Sequence, residues 1–338
     1  MKKVLVTICA MAAVLACTKT EVTFDEPGEI SFAPVSKLET KSVVGANYSS
    51  NLNFYTWAYT YEATPVAYFS EILFIPESSQ TGAPTGLTSY IGSAPQYWPN
   101  EKKLQFAGLT ASGNITSAIV AMSDATTIKV TGYDQPLPNE AGNNDLLWFF
   151  EDNAGTGYAK PAADATSVHV QPTMKHACSW IVVNVALDED LVSYWNDVKV
   201  NSINFETLYT TGNVNLTTSG AAWSNQGTSE TNIVVYQGAS DNVINGTAKA
   251  FAAVNDAIVI PQTPTTLAVN ITYTTPAGGT VTETIDGIEL DYDGANTAWA
   301  PGTKYTYTLT IGADEIKIAP KAEDWSTGTG SGLTQDVK

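Results

Sequence analysis

The chain has 338 residues, 43% hydrophobic, 10% aromatic and only 15% charged, enough apolar material for two ordinary cores. Its 34 acids against 16 bases give a net charge of −18, which repels phosphate backbones and excludes nucleic acid as a partner. Every one of those bases is lysine; the chain contains no arginine.

At the amino terminus, Lys2 and Lys3 precede an apolar stretch from Val4 that ends in Val14-Leu15-Ala16-Cys17. About a dozen apolar residues fall short of the roughly 20 that a spanning helix needs. A small residue directly before a cysteine fits a lipoprotein signal peptide over residues 1–17, with Cys17 the lipidated first residue of the mature chain. Cys9 then leaves with the signal and Cys17 takes the lipid, so Cys178 has no disulfide partner. No later stretch is apolar for long enough to span a bilayer, and attachment to the outer membrane rests on that lipid.

Beyond the signal the dominant period is two, in short Thr-, Val-, Ile- and Tyr-rich runs separated by Gly, Pro, Asn and Asp, which predicts an all-β fold. In Phe54 to Tyr61 the large aromatics alternate, so one sheet face carries Tyr55, Trp57, Tyr59 and Tyr61. Further strands are expected over 69–75, 104–107, 128–131, 146–150, 180–187, 198–205 and 258–260. Gly155, Gly157, Pro161 and a run of Ala, Asp and Thr place a domain boundary near residue 170, dividing an N-terminal sandwich, 42–170, from a C-terminal one, 171–325. Asp188-Glu189-Asp190 introduces one helical turn over Leu191 to Trp195. Leu267 to Tyr273 and Val281 to Ile285 flank Gly278-Gly279 as a hairpin, and Tyr305, Tyr307, Leu309 and Ile311 alternate with threonines. The Gly-, Ser- and Thr-rich end, 326–338, is expected to be a flexible tail.

Several short strings carry a resemblance. Tyr97-Trp98-Pro99 followed by Leu104-Gln105-Phe106-Ala107, then Asn144-Asp145-Leu146-Leu147-Trp148, then Lys175-His176-Ala177-Cys178-Ser179-Trp180-Ile181 fall in the order and spacing of the fimbrillin-like proteins of Bacteroides and its relatives. Ile260-Pro261-Gln262, Pro301-Gly302-Thr303-Lys304-Tyr305, Ile316 to Ile318 and Asp324-Trp325 are similar to that family's C-terminal signature. The resemblance implies two tandem transthyretin-like, Greek-key β-sandwich domains and assembly with other pilus subunits into a type V fimbria for adhesion to a host or bacterial surface ligand.

The resemblance also implies a prosegment, here residues 18–41, holding a plug strand. Glu29-Ile30-Ser31-Phe32-Ala33-Pro34-Val35 matches it, with Ile30 and Phe32 on one face to fill an apolar groove. Lys41 stands where the family has a cleaved basic residue, so processing between Lys41 and Ser42 is expected from an enzyme that accepts lysine; the plainer reading is a solvated loop lysine on a subunit that keeps its lipid. A shaft subunit must also donate a strand. The tail offers only Leu333 and Val337, leaving Tyr305 to Ile318 as donor or a tip or minor-subunit role.

The competing reading is a glycan-binding surface lipoprotein outside any pilus, with Trp98, Trp148, Trp195, Trp223 and Trp299 as stacking candidates. Catalysis and cofactors have little to work with. His169, His176 and Cys178 form a loose cluster without a fourth ligand, His176 and Cys178 sharing one strand face. Asp286, Glu289, Asp291 and Asp293 before Gly294 lack the spacing of a full calcium loop and read as acidic turns, so no metal site is expected.

Overall fold

A computed structural model describes residues 28–36, 53–77, 88–111, 115–116, 118–137, 145–162, 169–227, 229–238, 242–251, 257–312 and 316–324. The first strands are β1 (Ser31–Phe32), β2 (Val35–Ser36), β3 (Asn53–Thr60), β4 (Ala67–Pro76), β5 (Tyr90–Gly92), β6 (Leu104–Ala111), β7 (Val120–Asp124) and β8 (Thr127–Asp134). There follow β9 (Leu147–Glu151), β10 (His169–Val170), β11 (Thr173–His176), β12 (Ser179–Leu187), the helical turn α1 (Glu189–Val192), β13 (Asn196–Tyr209), β14 (Thr211–Thr217) and β15 (Gly220–Ser224). The last are β16 (Ser229–Gln237), β17 (Lys249–Phe251), β18 (Ala257–Val259), β19 (Thr266–Thr274), β20 (Thr280–Glu289), β21 (Thr303–Ile311) and β22 (Ile316–Asp324). The fold is all-β, and no helix among the described residues is long and apolar enough to cross a membrane.

The first large sheet runs β10-β1-β5-β4-β3-β6-β9-β11-β2. Its two ends are consecutive pieces of the same two segments, because β1 leads directly into β2 and β10 into β11. Ser31 and Phe32 pair in parallel with His169 and Val170, and Val35 and Ser36 pair with Thr173 and Met174 in the same register. The sheet therefore closes on itself, with the segment 31–36 forming part of the seam.

Closure gives the sheet an inner face, and residues of alternating parity fill it. Phe54 and Ala58 of β3, Leu104 and Phe106 of β6, and Leu147 and Phe149 of β9 form an aromatic core with Phe69, Phe74 and Tyr90. The opposite parity, Trp57 and Tyr59, Ala107 and Leu109, and Trp148, faces outward into a second core. Both faces of these strands are thus buried, where half-buried strands would carry one polar face. Tyr61, expected to extend the aromatic face, lies beyond the end of β3 and donates to Gly155 O.

Gly108 permits this packing. A Cβ there would stand 2.2 Å from Cε1 of Phe149, whose ring lies against those of Phe32 and Phe54. We expect Gly108→Ala to destabilise the protein by about 1–3 kcal/mol through overpacking, read as a lower urea midpoint; an unchanged midpoint would show that Phe149 can yield.

The second core is covered by a four-stranded sheet, β15-β14-β8-β7, whose Val120, Ile128, Val130, Val214 and Leu216 face Trp57 and Trp148. Here β14 pairs with β8 from Thr211 against Asp134 to Thr217 against Thr127. The pairing crosses residue 170: β11 lies in the first large sheet, and β14 pairs with β8 in a sheet that draws two strands from each side of that point. The Gly- and Pro-containing stretch expected to mark the boundary falls between β9 and β10, two strands of the same first sheet.

The third core lies between sheet β17-β12-β21-β22, with β18 also on β12, and sheet β16-β13-β19-β20. Inward-facing Val183, Val185, Tyr305, Tyr307 and Leu309 meet Ile203, Phe205, Leu267, Val269 and Ile271 across the sandwich. The expected hairpin is present as β19–β20, from Leu267 against Ile288 to Tyr273 against Val281. A helical turn, expected over Leu191 to Trp195, is present two residues earlier as α1 (Glu189–Val192), whose N-cap Asp188 accepts from Asp190 N. Strand β12 joins second and third cores, since Trp180 lies in one while Ile181 and Val183 lie in the other.

Candidate functional site

The segment Gly28 to Ser36 is held as a strand although little in its own sequence could hold it there. Ile30 N donates to Gln96 O at 2.6 Å, Trp98 N to Gly28 O at 3.1 Å, and Ala33 N to Val170 O at 2.8 Å. β1 also pairs antiparallel with β5, so it lies between two backbones. Ile30 and Phe32, the two residues expected to share a face, are both fully buried in the aromatic core.

Phe32 sits at the centre of that core. Its ring lies 4.7 Å from Phe74, 5.2 Å from Phe106 and 5.7 Å from Phe54, all edge-on, and 6.0 Å from Phe149. Edge-to-face pairs add about 0.5–1.5 kcal/mol each beyond burial, so this one side chain links four strands. The pocket around Phe32 was not legible in the sequence; its only signal is the second parity of 54–58, overshadowed by Trp57 and Tyr59.

A small polar cluster lies beside the segment. Ser31 Oγ is 2.8 Å from His169 Nδ1, and Ser89 Oγ donates to Glu77 Oε2 at 2.8 Å. Burial, with the Glu77 charge adding to it, raises the Glu29 carboxyl above its ordinary range.

The remaining histidine and cysteine stand elsewhere. His176 Nδ1 is 2.7 Å from Asp145 Oδ2, both side chains buried. Cys178 Sγ donates to Gln135 Oε1 at 3.4 Å, and burial raises the thiol well above its ordinary range. His176 ends β11 and Cys178 precedes β12, so they do not share one strand as expected. Among the described residues no group of three or more His, Cys, Asp or Glu is arranged to hold a metal ion. In the acidic turn, Asp291 carboxylate oxygens accept from the backbone of Asp293, Gly294 and Asn296. The Thr297 side chain and Ala295 N–H likewise hold the Asp293 carboxyl down to about 2.

Of the stacking candidates, Trp98, Trp148 and Trp299 are buried in the cores, and Trp223 packs against the second core while donating to Ala177 O. Trp195 stacks on Tyr273 at 3.9 Å over the third core. Strand β21 is paired on both sides, by β12 and β22, so its donation would dismantle the third core. Cys17, Lys41, Ser42 and the tail 326–338 lie outside the described residues.

Fold and seam together define an all-β sandwich protein whose own N-terminal extension completes its first core. The sequence model of the fimbrillin-like family matches residues 40–325, and the chain belongs to that family. It is 32% identical over 127 residues to Fim1C, a candidate fimbrium subunit of Bacteroides uniformis, an alignment spanning 34% of this chain and 38% of that relative. A fimbrial protein of Bacteroides vulgatus has the same fold with a TM-score of 0.59 and 16% identity, covering 88% of this chain and 100% of the other. A candidate cell adhesion protein of Bacteroides uniformis, 17% identical, aligns over 88% of this chain and 98% of its own with a TM-score of 0.49.

Proposed function

We propose that the chain is a pilus subunit, exported to the cell surface as a lipoprotein through Cys17 and assembled by donor-strand exchange. In this reading, cleavage after Lys41 frees the segment carrying Ile30 and Phe32, and an extended strand of a neighbouring subunit takes its place. The observation that carries the reading is the seam. A short N-terminal segment, remote in sequence from its partners, supplies Phe32 to the aromatic core and pairs with both β5 and β10. Its departure would leave two backbone edges unpaired and an apolar slot open, a surface that strand addition satisfies in both respects. Burying one such side chain is worth about 1.5–3 kcal/mol, so the vacant slot has a strong drive to refill.

The absence of arginine provides the experiment, because Lys41→Arg creates a single site for an arginine-specific protease. The expected result is one cut, a folded product that retains the N-terminal fragment, and slow release of that fragment as SDS-resistant multimers accumulate. Cut protein that loses the fragment yet stays monomeric at high concentration would defeat the reading.

A further inference from the structure

Trp195 differs from the other stacking candidates in its surroundings. The turn after α1 carries it, with Tyr194 N and Trp195 N both donating to the carbonyl of buried Leu191, at 2.9 and 2.8 Å. The Trp195 ring is partly exposed and lies over Tyr273, with centroids 3.9 Å apart and planes 15° from parallel. Both rings pack on the third core. Core packing accounts for that pair but not for Tyr194 beside it, which is 62% exposed, more than any other large apolar residue described.

Carboxylates edge this aromatic surface from both neighbouring strands. The register of β13 on β19 shifts between Asn196, paired with Thr274, and Lys199, paired with Thr272, which sets Asp197 and Val198 together against Tyr273. Bulges of this kind recur beside sites, where they re-aim a side chain. Asp197 holds a φ of +50°, a left-handed backbone that strains a residue other than glycine. On the other side, the Tyr273 hydroxyl donates to the Glu283 carboxylate of β20. Both acids are exposed. A pyranose suits such a surface: its C–H face rests on the negative face of an aromatic ring, and its hydroxyls donate charge-assisted hydrogen bonds to carboxylates. The same carboxylates, on a chain of net charge −18, repel sialylated and sulfated glycans.

We propose that this end of the third core is a saccharide-binding site for neutral pyranose units. Trp195 and Tyr194 supply the apolar surface, and Asp197 and Glu283 accept from the sugar hydroxyls. The site is built from α1, β13, β19 and β20, apart from the seam, so it serves the intact chain and needs no strand exchange.

The test applies the purified full chain to an array of immobilised oligosaccharides, neutral hexose- and N-acetylhexosamine-terminated ones beside sialylated and sulfated ones. Binding is expected to the neutral class. Asp197→Gly relieves the left-handed strain, so it should leave the thermal midpoint level or higher while weakening that binding about tenfold, equivalent to roughly 1.4 kcal/mol. Tyr194→Ala removes an exposed ring and should weaken binding about as much with an unchanged midpoint. Binding to no glycan, a preference for the acidic class, or neutral binding that survives both substitutions overturns the inference. The donor-strand reading stands or falls separately, on the cutting experiment.

Discussion

Phe32→Ala should lower the unfolding free energy of the intact chain by about 3–5 kcal/mol, the range for deleting a fully buried phenylalanine. The upper part of that range is expected because the ring is surrounded by Phe54, Phe74, Phe106 and Phe149 on strands tied into a closed sheet. Aromatic neighbours on paired strands relax poorly into a void, so the cavity term adds to the transfer term. In the Lys41→Arg chain after cutting, the same substitution acts on retention of the fragment. At tenfold per 1.4 kcal/mol, the loss should weaken its hold by a factor of at least about one hundred. A urea titration of the uncut chain and a fragment-release assay of the cut chain measure the two effects separately. A shift below about 1 kcal/mol in the first would mean that Phe32 is not the central residue of the core.

What the sequence disclosed follows the range of each signal. Strands with one clean parity were readable: Leu267 to Tyr273 and Val281 to Ile285 pair as β19 and β20, and Tyr305 to Ile311 lies in β21 with its large side chains inward. Where both parities are buried, alternation ceases to mark a face. Phe54, Thr56 and Ala58 are as buried as Trp57 and Tyr59, and the larger aromatic set masks them in the sequence. The seam had no local signal, since β1, β2 and β10 are two residues each and their parallel pairing joins segments far apart in the chain. For the same reason β14 and β15, rich in Thr, Asn, Gly and Ala, carry no signal that β14 pairs with β8 across the expected boundary near residue 170. Ile30 and Phe32 were placed on a common face by their spacing, while the pocket they fill required the tertiary structure.

The family-like strings prove legible because they hold junctions. Trp98 and Phe106, from two neighbouring strings, meet edge-on at 5.8 Å. Gln262 bonds to Tyr209 N and O through its side chain, while its carbonyl accepts from Trp299 N. Gly302, with φ of +65°, donates to Cys178 O, and a Cβ on it would come to 3.4 Å from His176 O. A positive φ at that turn favours glycine, which accounts for the Pro-Gly-Thr string in physical terms.

Asp145→Ala is expected to have an effect of the same order as Phe32→Ala. Asp145 and His176 come from two different strings, Asn144-Asp145-Leu146-Leu147 and Lys175-His176-Ala177-Cys178, and meet at 2.7 Å with almost no exposure. On the same junction, Ala177 N donates to Leu146 O, and His176 pairs with Leu147 across β9 and β11. Removing the carboxylate takes the Asp145 partner from the buried His176 ring and leaves a void beside it, and losing the partner of a buried polar group costs about 1–3 kcal/mol in addition to the cavity. Replacing both partners with apolar groups escapes part of that penalty, because neither member of the pair is then left facing a void. The double variant Asp145→Leu with His176→Phe should therefore recover part of the loss. Thermal and urea unfolding of the two single variants and the double variant form the cycle that measures this. Additive losses would show that the pair is not coupled and that the two strings are held together by their backbone hydrogen bonds alone.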